Sequence, residues 1–123
     1  MPGTATVTVS LSAAAGLDVA GILAALDRYP YGCVEQLTSR ALPLVYLDDV
    51  AVSIGMGDDE AVRKRVQQAI VDVLAKQSAG GSFGLWGPFD RSDLWLDSYV
   101  TDFLTRAAER GYDVPQASIG LAY

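Results

Sequence analysis

The chain has 123 residues, enough for one domain around one core and too few for two. With 50% hydrophobic and 20% charged residues the composition is globular, and a net charge of −6 argues against a nucleic-acid partner, which would need a basic stripe to displace counterions. A histidine count of zero excludes a Cys–His dyad, a Ser–His–Asp triad and a His-ligated metal site within the chain, so no enzyme of those kinds and no metal or cofactor is expected.

No apolar run approaches the roughly 20 residues of a membrane span, and Met1-Pro2-Gly3-Thr4 has no basic region leading into an apolar stretch, so neither a membrane segment nor a signal peptide is expected. Residues 4–11 alternate strictly, with Ala5, Val7, Val9 and Leu11 on one face and Thr4, Thr6, Thr8 and Ser10 on the other, which predicts a half-buried β-strand. No second stretch alternates as well, so the strand lacks a partner. It is expected to pair with a copy of itself in a homo-oligomer or with a neighbouring domain.

Helical spacing takes over after Gly16. Asp18 caps a short first helix with Val19, Ile22, Leu23 and Leu26 on one face, ending before Pro30. A second begins near Cys33 and places Val34, Leu37, Ala41, Leu44 and Val45 together; Pro43 should kink it or mark tight packing. After a turn at 53–57, Asp58 or Asp59 caps a third helix with Val62, Val66, Ile70, Val73 and Leu74 inward. A Gly-rich loop over 78–88 carries Phe83 and Trp86. A fourth helix runs from about Ser92 or Asp93 to Glu109, with Leu96, Tyr99, Val100, Phe103, Leu104 and Ala107 inward and Gly111 as its stop. Val114-Pro115 opens another helix. The expected fold is mainly α, built from αα-hairpins. Residues 1–16 form a linker with an orphan strand, and 17–123 a helical domain that reads as a piece of something larger.

The stretch Tyr29-Pro30-Tyr31-Gly32-Cys33-Val34-Glu35-Gln36 holds the only cysteine, at a predicted helix start. Residues three apart on a helix share a face, with Cβ atoms about 5–6 Å apart, so the Cys33 thiol and the Gln36 amide can meet. A lone cysteine among apolar neighbours is ordinarily a small buried hydrophobe. A helix N-terminus, however, favours a thiolate, and Gln36 supplies an acyl carbon one turn away. Attack on it would expel ammonia and close an internal thioester. Glu35 sits between them, and its bland role is to complement the helix dipole. Tyr29 and Tyr31 either shield the pair or staple the turn.

The run Gly32-Cys33-Val34-Glu35-Gln36 resembles the thioester signature Gly-Cys-x-Glu-Gln of the alpha-2-macroglobulin and complement superfamily. Its flanks are similar to the bacterial alpha-2-macroglobulins. The approach Leu23-Ala24-Ala25-Leu26-Asp27-Arg28-Tyr29-Pro30-Tyr31 and the later segments 81–86 and 95–104 fall in the family's order, so the resemblance covers roughly residues 17–115. Val34 stands where vertebrate relatives commonly have glycine, which is normal for bacterial ones.

The resemblance implies the first part of an α/α-toroid thioester domain, preceded by a strand from a neighbouring β-sandwich domain. It implies a periplasmic parent that inhibits endopeptidases by trapping them and coupling to their amines. In it Cys33 is the thioester nucleophile and Gln36 its acyl partner, with Gly32, Glu35, Tyr29 and Tyr31 in support. In the segment alone the pair is expected to stay thiol and amide, because nothing is seen to complete a dry pocket. A helical interaction module with a structural cysteine is the alternative from the residues; a toroid enzyme would need convergent acids that are not identified. Asp90, Asp93 and Asp97 are spaced like a carboxylate cluster but read more simply as a loop residue, an N-cap and a surface position. Phe83, Trp86 and Phe89 either form a binding surface or, as is more usual for such aromatics, fold back to plug the end of the helical core.

Overall fold

The computed structural model describes Gly3, Val9, residues 16–28 and residues 32–122. Six helices run through them: α1 (Val19–Asp27), α2 (Val34–Leu44), α3 (Asp48–Ser53), α4 (Asp59–Leu74), α5 (Leu94–Glu109) and α6 (Gln116–Ala122). The fold is mainly α, as expected; among the described residues the extended pairing is a single antiparallel bridge between Gln77 and Phe83. Of the strand expected at 4–11 all but Val9 lies outside the described residues, as do Tyr29 and Tyr31.

Three helices start on aspartates for one physical reason. The first backbone N–H groups of a helix lack partners, and a carboxylate placed just before them accepts one. Asp18 accepts from Gly21, Asp58 from Ala61 and Asp93 from Leu96, each at 2.9 Å. Replacing Asp93 with alanine is expected to lower stability by about 1 kcal/mol in urea denaturation, with α5 still formed. At the other end of α5, Gly111 adopts φ +81 and donates to Ala108, while Tyr112 donates to Ala107. This Schellman turn needs a left-handed residue, which glycine supplies without a Cβ penalty.

The core is one cluster between α4, α2 and α5. Val62, Val66, Ile70 and Val73 of α4 and Val100, Phe103, Leu104 and Ala107 of α5 are wholly buried. Helix α2 packs against both, so Val34, Thr38, Ala41 and Leu44 lie in the middle of the apolar layer. Helix α1 packs on α2 and α3, and α6 on α5.

Pro43 does not kink a longer helix. It sits in the last turn of α2, which ends one residue later, and its carbonyl accepts from Tyr46 and Leu47. Lacking an N–H, it leaves the Ser39 carbonyl without its helical donor, and the chain turns directly into α3. That six-residue helix, packed on α4, was not expected from the sequence; it buries Ala51.

Candidate functional site

Cys33 is the N-cap of α2, in extended conformation (φ −69, ψ 156), and its side chain caps no backbone N–H. Val34, Glu35 and Gln36 are then the first three helical positions. Cap and third residue are the two positions of a capping box, in which the third side chain folds back onto the cap. Ordinary boxes use Ser or Thr with Glu or Gln. Here the cap is a thiol, which ranks poorly as a hydrogen-bonding cap.

The pair is shielded by this chain's own residues. Cys33 is 5% exposed, and the Gln36 Oε1 is buried with no hydrogen-bond partner among the described residues. Nothing in the sequence pointed to that cover. The Gly-rich loop meets the same helix start, where its Leu85 carbonyl accepts the Val34 N–H at 2.9 Å. The loop is held in shape by backbone bonds. Asp90 Oδ2 accepts from Trp86 N and Gly87 N at 2.7 and 2.9 Å, and Lys76 Nζ donates to the Trp86 carbonyl at 3.2 Å. A Cβ on Gly84 would run into the Gly87 carbonyl, so only glycine lets the loop fold this tightly.

The loop aromatics divide. Phe83 is wholly buried and plugs the core, as expected; its N–H donates to Asp97 Oδ1 at 2.6 Å. Trp86 and Phe89 do not fold back: they are 58% and 99% exposed. Asp90 and Asp93 accept local backbone N–H groups, whereas Asp97, expected as a surface position, is half-buried and accepts from Phe83 fourteen residues away; the three act in separate places, and no metal-holding group of His, Cys, Asp or Glu exists among the described residues.

Glu35 faces α5. Its Oε1 accepts from Ser39 Oγ at 2.7 Å, and Ser39 Oγ lies 3.1 Å from the Tyr99 hydroxyl. The Tyr99 ring stacks on Trp95 with centroids 5.2 Å apart. Ser39 and Trp95 did not figure in the sequence reading of the site, and Tyr99 counted there only as core. The one local signal was the four-residue spacing of Glu35 and Ser39 on a helix.

Gly32 is exposed, and a Cβ there would meet nothing within 4 Å among the described residues. The preceding helix is tied down by Asp27, which accepts from Arg65 of α4 at 2.7 Å and lies 3.7 Å from Arg40 of α2. These pairs are about a third or more exposed, so they fix the position of α1 more than they add stability. A cavity of about 460 Å³ opens beside them between α1, α2 and α4, and neither Cys33 nor Gln36 lines it.

Residues 5–122 match the family model described as the A-macroglobulin TED domain. The alpha-2-macroglobulin of Escherichia coli strain K12 is 38% identical over 112 residues, 89% of this chain. The chain spans 7% of that relative's length. The crystal structure of native Escherichia coli alpha-2-macroglobulin, spanning domain MG7 to the C-terminus, superposes with a TM-score of 0.78 at 38% identity, over 86% of this chain and 17% of that one. The crystal structure of Salmonella alpha-2-macroglobulin reacted with methylamine gives 0.76 at 37% identity, over 84% of this chain and 7% of that one. Because the family model matches residues 5–122, nearly all of the 123, the chain belongs to the A-macroglobulin TED-domain family.

Proposed function

We propose that Cys33 and Gln36 close an internal thioester, and that this segment works within a longer periplasmic polypeptide that traps endopeptidases and couples covalently to their amines. The observation that carries the reading is the cap-and-third-residue placement on α2, with a buried acyl oxygen that has no hydrogen-bond partner among the described residues. Within this reading the thioester is a capping box made covalent.

The chemistry balances without a cofactor. The Cys33 sulfur adds to the Gln36 acyl carbon, the C–N bond breaks, and the thiol proton leaves with the nitrogen as ammonia. In capture, an amine nitrogen adds to the same carbon and the C–S bond breaks. Cys33 departs as thiolate and takes up the proton the amine gives up. Burial favours the ring because a thioester survives only where water is scarce. A relative 37% identical was crystallised after reaction with methylamine, which fits an electrophile of this kind.

Intact mass of the full-length protein tests this. A species lighter by one ammonia is expected, which takes up methylamine and releases one thiol; Cys33→Ala shows neither. Full amide mass in the unmodified protein overturns the reading. The exposed Trp86 and Phe89 favour a second role, a non-covalent docking surface for another protein domain, which would survive that result.

A further inference from the structure

Glu35 raises a problem for any thioester at Cys33 and Gln36. A carboxylate one residue from an activated acyl carbon is placed to act as general base: it takes a proton from a water, the hydroxyl adds to the acyl carbon, the C–S bond breaks, and the Cys33 thiolate takes up the proton. The product is a free thiol and a glutamate in place of Gln36, with nothing captured. General bases work through one intervening water and accelerate such steps by about 10²–10⁴.

The structure shows where that carboxylate is kept. Ser39 Oγ donates to Glu35 Oε1 at 2.7 Å, so the serine's single proton is committed. The 3.1 Å contact between Ser39 Oγ and the Tyr99 hydroxyl then has one polarity, with Tyr99 donating. Tyr99 is in turn held by its stack on Trp95, with an interplanar angle of 24°. A directed chain of two hydrogen bonds therefore runs from α5 to the first turn of α2 and ends on the carboxylate. On the helix Glu35 and Ser39 share a face toward α5, whereas Cys33 and Gln36 share another.

We propose that Ser39 and Tyr99 are positioning residues that hold the Glu35 carboxylate against α5, out of reach of the acyl carbon, and so protect the thioester from hydrolysis by its own neighbour. This rests on the thioester reading above. It assigns the Glu35–Ser39–Tyr99 chain a task distinct from forming the ring: setting how long the ring lasts before an amine arrives.

The test follows thioester loss by intact mass in amine-free buffer, using the full-length protein. Ser39→Ala is expected to raise the rate about a hundredfold, the lower end of what a freed general base delivers. Tyr99→Phe keeps the ring and its stack on Trp95, removes only the hydroxyl, and gives a smaller rise. The deciding variant is the double one, Ser39→Ala with Glu35→Gln, in which the loosened side chain can no longer accept a proton; it should lose the thioester at the unmodified rate. A chain that merely braces α2 predicts the opposite, a double variant decaying as fast as Ser39→Ala. That result, or single variants no faster than the unmodified protein, overturns the proposal while leaving the thioester intact. An unmodified protein without the ammonia-light species overturns both.

Discussion

Phe83→Ala is expected to lower the stability of the domain by about 3–5 kcal/mol, the range for truncating a fully buried aromatic ring. Phe83 is wholly buried at the foot of the Gly-rich loop, and two elements depend on it. Its N–H donates to Asp97 in the first turn of α5, and it pairs with Gln77 just past the end of α4. The ring therefore closes the end of the α4–α5 layer, and removing it leaves a void that the flanking helices cannot fill without breaking those bonds. Against a usual total of about 5–15 kcal/mol this is a large share, and thermal denaturation should show a fall of about 10–20 °C. Phe89→Ala, six residues on, is the internal control. That side chain is 99% exposed, so its loss should change stability by no more than about 0.5 kcal/mol. Equal losses in the two variants would show that the loop, and not the buried ring, carries the effect.

The contrast between the two phenylalanines marks where the sequence stopped being informative. Helices α4 and α5 were legible because each carries a long stripe at helical spacing behind an aspartate cap, and periodicity over four turns leaves few alternatives. Helix α3 has six residues and one buried side chain, too short for a period to register; packing on α4 makes it a helix. Within the loop, composition could not separate the aromatic that plugs the core from those left in solvent, because the difference lies in backbone bonds to Asp90 and Asp97.

The site divides in the same way. The placement of Cys33 and Gln36 was legible from a three-residue spacing after a Pro/Gly break, since both ends of that relation lie in one helical turn. The contact between Ser39 and Tyr99 spans 60 positions and depends on how α2 meets α5. Tyr99 fitted the inward stripe of α5 and so read as a core residue; the structure leaves it half-buried outside the core cluster, its ring stacked on the exposed Trp95 and its hydroxyl at Ser39. A polar tip on an apolar body leaves no trace in a hydrophobic pattern.

Gln36→Asn should abolish methylamine incorporation while leaving the fold unchanged. Cap and third residue face each other across about 5–6 Å between Cβ atoms, a gap the cysteine sulfur spans from one side and the two outer carbons of glutamine from the other. Asparagine carries its acyl carbon one bond closer to the backbone, so the sulfur no longer reaches it and no ring closes. Intact mass should then show the full amide, and Cys33 should react with a thiol reagent once the protein is unfolded. The cost in stability should be small, because the Gln36 Oε1 accepts no hydrogen bond from the described residues and its displacement breaks none. Reactivity and stability thus separate at this position, as they would not if Gln36 served only to pack α2. An asparagine variant that still lost ammonia and took up methylamine would place the acyl group on some other residue, and a large drop in Tm would make Gln36 a structural part of the helix start.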